Sequence, residues 1–159
     1  MIVFREAQEV ATWFVVFHPD CVAWWARLIP GRFKHVSAFA WVEGCRVWVF
    51  YDVSLAQTKV MVLPEGQAAI DRLALWTAHC SILKVRARAR ARERIRLVFS
   101  CVSAIRHLVG VTGGALRPDA LMRDLLRSGA EMVFDGSSNR VEPCVAGRGD
   151  LGVAAAGGR

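Results

Sequence analysis

The chain has 159 residues, of which 54% are hydrophobic, with 21 basic and 14 acidic side chains and a formal charge of +7. That length suits one domain able to bury roughly two-thirds of its unfolded surface, and the apolar content excludes a wholly disordered chain. No apolar stretch approaches the ~20 residues a membrane-spanning helix needs, and Met1 to Glu9 lacks the basic-then-apolar order of a signal peptide. These features predict a soluble intracellular protein, cytoplasmic or associated with a virion. Eighteen of the basic residues are arginine, a bias that a GC-rich genome also produces, so charge alone favours acidic partners without naming one. Five cysteines at 21, 45, 80, 101 and 144 form no CxxC pair, which predicts free thiols in place of a disulfide framework.

In chain order, Thr12-Trp-Phe-Val-Val-Phe17 reads as a strand. His18-Pro-Asp20 reads as a turn, and residues 21–29 as a helix stopped by Pro30-Gly31. Two β-rich segments follow at 33–42 and 46–54, joined at Glu43-Gly44, and then a strand at 59–63. The spacing of Ala68, Ala69, Leu73, Leu75 and Trp76 predicts a helix over 66–79. Ile82 to Ala87 reads as extended, and Ile95 to Phe99 as a strand leading into a helix over 101–109 that ends at Gly110. Pro118 opens a further helix, which runs to Arg127 and stops near Gly129. Residues 1–135 are expected to form the domain, and the Gly- and Ala-rich stretch 136–159 a disordered tail.

Three side chains carry the chemistry. His35 lies in Arg32-Phe-Lys-His-Val-Ser-Ala-Phe-Ala-Trp41, and Asp52 in Arg46-Val-Trp-Val-Phe-Tyr-Asp52. A two-residue turn at Glu43-Gly44 pairs Val42 with Cys45 and sets His35 directly opposite Asp52, with Phe39 opposite Trp48. A carboxylate there can fix the tautomer of the imidazole. A change of two residues in loop length keeps the shared face, whereas a slip of one residue destroys it. Cys101 opens an apolar helix, where unpaired N–H groups and the helix dipole favour thiolate and can help stabilise an oxyanion.

The order of these elements resembles that of the circularly permuted papain-like cysteine hydrolases, relatives of the NlpC-type cell-wall peptidases. Phe33-Lys-His35-Val-Ser-Ala matches the histidine strand, Phe50-Tyr-Asp52 the orienting polar residue, and Phe99-Ser-Cys101-Val-Ser the nucleophile helix. The resemblance covers about residues 30 to 128. It implies an α+β fold with a small antiparallel sheet packed against the cysteine-bearing helix, in permuted papain-like order. It further implies a bacterial or phage peptidase or amidase acting on cell-wall peptides. Catalytic residues would be Cys101, His35 and Asp52, with no cofactor; lipid-acyl and thioester substrates suit the same machinery.

A rival reading rests on Lys84-Val-Arg-Ala-Arg-Ala-Arg-Ala-Arg92. When extended, this run places Lys84, Arg86, Arg88, Arg90 and Arg92 on one face, as in a noncatalytic nucleic-acid-binding or phage-assembly protein. No aromatic residues interleave with it to stack on bases, so a solvated sheet face explains it equally simply. Neither His18-Pro-Asp-Cys21 nor His79-Cys80 has zinc-site spacing, and no metal is expected. Gly110-Val-Thr-Gly-Gly114 lacks the lysine of a phosphate-binding loop.

Overall fold

A computed structural model describes residues 12–21, 28, 30–54, 57–88 and 100–136. The predicted helix at 21–29, the predicted strand at 95–99 and the tail beyond 136 lie mostly or wholly outside these residues. Within them the fold is α+β: a six-stranded antiparallel sheet and three α-helices. Strands β1 (Thr12–His18), β2 (His35–Val42), β3 (Val47–Val53) and β4 (Thr58–Pro64) precede helix α1 (Gln67–Thr77). Strand β5 (Ser81–Arg86), helices α2 (Cys101–Val109) and α3 (Pro118–Arg127), and strand β6 (Glu131–Phe134) follow. The sheet order is β4-β3-β2-β1-β5-β6. Among the described residues, no helix is long and apolar enough to cross a membrane.

Side chains alternate between the two faces of a strand, and both faces of this sheet are covered, so the central strands read as nearly continuous apolar runs. From β1, Trp13, Val15 and Phe17 join Val36, Ala38 and Ala40 of β2 under Val102, Ile105 and Val109 of α2 and Leu121 and Leu125 of α3. Val16 faces the other way with Phe39 and Phe50, where Leu73 and Trp76 of α1 pack. The cluster on the α2 side holds more buried apolar side chains than the one on the α1 side, so it supplies the larger share of the hydrophobic stabilisation.

The β2–β3 register departs from the expected one. Ser37 pairs with Asp52, Phe39 with Phe50, Trp41 with Trp48, and Val42 with Val47. A two-residue type I′ turn needs positive φ at both central residues, and Glu43 has a Cβ that resists it. The chain instead makes a 3-10 turn over Glu43–Cys45, closed by Arg46 at φ 52°. The loop is longer by two residues, so His35 stays on the face of Asp52 but becomes its diagonal neighbour. The strand β6, which the sequence reading leaves without secondary structure, pairs with β5 through a bulge at Ile82/Leu83.

Local chemistry fixes the elements around the site. Ser100 and Ser103 form a reciprocal capping box at the start of α2, and Gly110 ends that helix in the left-handed conformation at φ 68°. The carboxylate of Asp119, in the first turn of α3, accepts hydrogen bonds from the backbone N–H of Arg32 at 3.0 Å and of Phe33 at 3.4 Å. The N–H of Lys34 donates to the carbonyl of His18 at 2.8 Å. These contacts pin the residues immediately before His35 to α3 and β1.

Candidate active site

His35 is the first residue of β2, Asp52 is near the end of β3, and Cys101 is the first residue of α2. His35 Nε2 lies 2.7 Å from Asp52 Oδ1. Diagonal residues on neighbouring strands have Cα atoms roughly 7 to 8 Å apart, a gap that an imidazole and a carboxylate together can bridge. The same imidazole lies close enough to Cys101 for each to shift the other's protonation, His35 favouring the thiolate and Cys101 the imidazolium. With Nε2 committed to Asp52, Nδ1 is left for another partner. The backbone groups of Val36 and Val102 also favour the thiolate.

The electrostatics favour charge separation. Burial opposes a charged His35, but its hydrogen bonds to Asp52 and Cys101 and the negative charges on both outweigh that cost and raise its pKa to about 10. Burial likewise pushes the Cys101 thiol up, yet the hydrogen bond and charge of His35, with the two backbone hydrogen bonds, hold it below its ordinary value. The hydrogen bond to His35 keeps Asp52 below the usual carboxylate range against a smaller opposing effect of burial. The arrangement can hold a thiolate and an imidazolium side by side, oriented by a carboxylate.

A second group of polar side chains adjoins these three, and the sequence reading missed its relation to them. His18 sits directly opposite His35 across β1 and β2, with ring centroids 5.5 Å apart. Its Nε2 lies 2.7 Å from Ser37 Oγ and its Nδ1 3.2 Å from Cys80 Sγ. Burial, then the charge of His35, lowers its pKa to about 4. Burial also pushes the Cys80 thiol up to about 11. The parity of the run Thr12 to His18 carried a usable signal: once Val16 faces α1, so does His18. The β1–β2 pairing that brings it to His35 spans a segment with no short turn to set its register.

The basic run is only partly within the described residues. Lys84 and Arg86 are exposed on the same side of β5, while Leu83 and Val85 point into the core. Lys84 is 3.5 Å from Glu131, and the guanidinium of Arg88 donates to the carbonyl of Ser128 at 2.7 Å. Arg90 and Arg92 lie outside the described residues. Among those described, no group of three or more His, Cys, Asp or Glu side chains is arranged to hold a metal ion.

No protein-family profile, curated protein or solved structure matches the chain.

Proposed function

We propose that the chain is a cysteine hydrolase, a peptidase or amidase working by acyl transfer at Cys101. The observation that carries this reading is the 2.7 Å His35–Asp52 contact at the start of β2, with His35 near enough to Cys101 to lower the thiol's pKa while its own is raised. A nucleophile at a helix start, reached after a histidine strand and its polar partner, supports a papain-like arrangement in permuted order.

In this mechanism the Cys101 thiolate attacks an amide or ester carbonyl carbon, and backbone N–H groups at the start of α2 stabilise the charge that develops on oxygen. The His35 imidazolium gives its Nδ1 proton to the leaving nitrogen or oxygen as the scissile bond breaks, which leaves a thioester on Cys101. Water then attacks the thioester, His35 takes the water's proton, and the acid departs as thiolate and imidazolium re-form. Asp52 holds the His35 tautomer throughout. Cell-wall peptides are the substrate class that the family resemblance suggests.

Exposure to an activated acyl ester such as p-nitrophenyl acetate tests the reading. Mass spectrometry should find a transient acyl adduct on Cys101 that is absent in Cys101→Ala and accumulates slowly in His35→Ala. Acylation spread evenly over the accessible cysteines, or unchanged by His35→Ala, would refute it.

A further inference from the structure

His18 is built into the fold as closely as the three residues of the proposed site, yet that chemistry gives it no task. It lies between two rings, His35 at 5.5 Å and Trp76 of α1 at 6.4 Å, the latter edge-on. Both of its nitrogens are engaged. The Cys80 thiol donates to the carbonyl of Ala78 at 3.3 Å, so its sulfur is free to accept from His18 Nδ1–H, and Nε2 then accepts from the Ser37 hydroxyl. Ser37 is 1% exposed and Cys80 3%, so neither can exchange its partner for water without cost. Ser37 also follows His35 on the same face of β2 and is the direct cross-strand partner of Asp52.

The part-buried line Cys80–His18–Ser37 therefore runs beside the pair His35–Asp52 and meets it twice, through the tilted His18 and His35 rings and through the Ser37–Asp52 pairing. We propose that His18 is a positioning residue for this site: bonded at both nitrogens and packed against His35, it holds that imidazole in the orientation that meets Asp52. This inference rests on the reading of Cys101, His35 and Asp52 as the working site. A neutral neighbour matters because a second cation at this distance would oppose the charge on His35. The titratable groups that act on His18 are His35 from β2 and Asp52 from β3, with Cys80 bonded to it just ahead of β5.

The test is the pH midpoint for alkylation of Cys101 by iodoacetamide, read by mass spectrometry alongside the melting temperature of each variant. His18→Phe keeps a ring in the space but cannot hydrogen-bond, and it should raise the midpoint by about one pH unit, which is about tenfold slower labelling below it. His18→Gln, whose amide can still reach Ser37, should shift it less. Ser37→Ala should move the midpoint in the same direction as His18→Phe and provides the readout if His18→Phe does not fold. A folded His18→Phe or Ser37→Ala with a wild-type midpoint would overturn the proposal, even if its melting temperature fell. Under the same assay His35→Ala separates the two claims. A shift in His35→Ala with none in the His18 and Ser37 variants sinks only the role of His18; no shift in His35→Ala sinks the reading of the site as well.

Discussion

His35 and Asp52 share a hydrogen bond of 2.7 Å although they are not cross-strand partners: the residue facing Asp52 on β2 is Ser37. The diagonal geometry lets one carboxylate orient the imidazole while the buried Ser37 hydroxyl bonds the neighbouring His18. Asp52→Asn keeps the side-chain shape but removes the negative charge that helps hold the proton on His35. Alkylation of Cys101 near neutral pH should slow by about tenfold, as expected from roughly one unit of lost pKa support. A variant that folds normally and labels at the wild-type rate would assign the carboxylate a structural role only.

Stability should depend on pH in a way set by the two histidines. His18 stays neutral in the folded chain down to about pH 4, whereas unfolding restores its ordinary value of 6.5. The unfolded state therefore takes up the proton first, and stability falls as pH drops from 6.5 towards 4, by on the order of 3 kcal/mol. His35 has the opposite sign. Its raised value means that its contribution is complete below 6.5 and is lost as pH rises towards about 10. The lowered Cys101 thiol works against that loss, with a contribution that is complete above its ordinary value of 9.0. Urea denaturation across this range should show stability falling below pH 6.5 and falling again towards pH 10, the alkaline loss moderated by Cys101. In His18→Phe the acid decline should shrink; an unchanged acid limb in that variant would contradict the assignment.

The α2 cap is a local determinant of both stability and site geometry. Ser100→Ala removes the side-chain acceptor for the Ser103 N–H and should cost about 1 kcal/mol. Because Cys101 is the next residue, its labelling should slow as the first turn frays. Thermal melts and alkylation measured on the same sample check both effects.

Asp119 ties α3 to the segment that leads into His35. Asp119→Ala strands two backbone N–H groups, those of Arg32 and Phe33, and should destabilise the fold by about 1 to 2 kcal/mol. Hydrogen exchange at residues 32 to 35 should accelerate more than exchange in the centre of β1. Uniform acceleration would mean that the contact contributes only to global stability.

Much of this fold can be read from local pattern. The limits of α2 and α3 follow from Ser100 and Gly110 in one case and Pro118 in the other, because caps act on neighbouring residues. The shared face of His35 and Asp52 follows from strand parity alone and survives the wrong turn. Their true register does not follow, because Glu43-Gly44 carries a two-residue turn signal while the chain closes with Arg46 in the left-handed region. Strand β6 is four residues long with every one exposed, so it presents no alternation to detect; its pairing with β5 defines it. The grouping of His18, Ser37 and Cys80 is not legible in the sequence because they meet only after β1, β2 and β5 assemble, across sequence separations of 19 and 62 residues.

The central claim is that His35 maintains Cys101 as a thiolate, and the rate of Cys101 alkylation by iodoacetamide as a function of pH, in wild type and in His35→Ala, tests it most directly. Cys101 should label faster than the other four cysteines near neutral pH, with a midpoint below the ordinary thiol value of 9.0, and His35→Ala should move that midpoint upward. A midpoint near 9.0 in both proteins, with no preference for Cys101, would contradict the account.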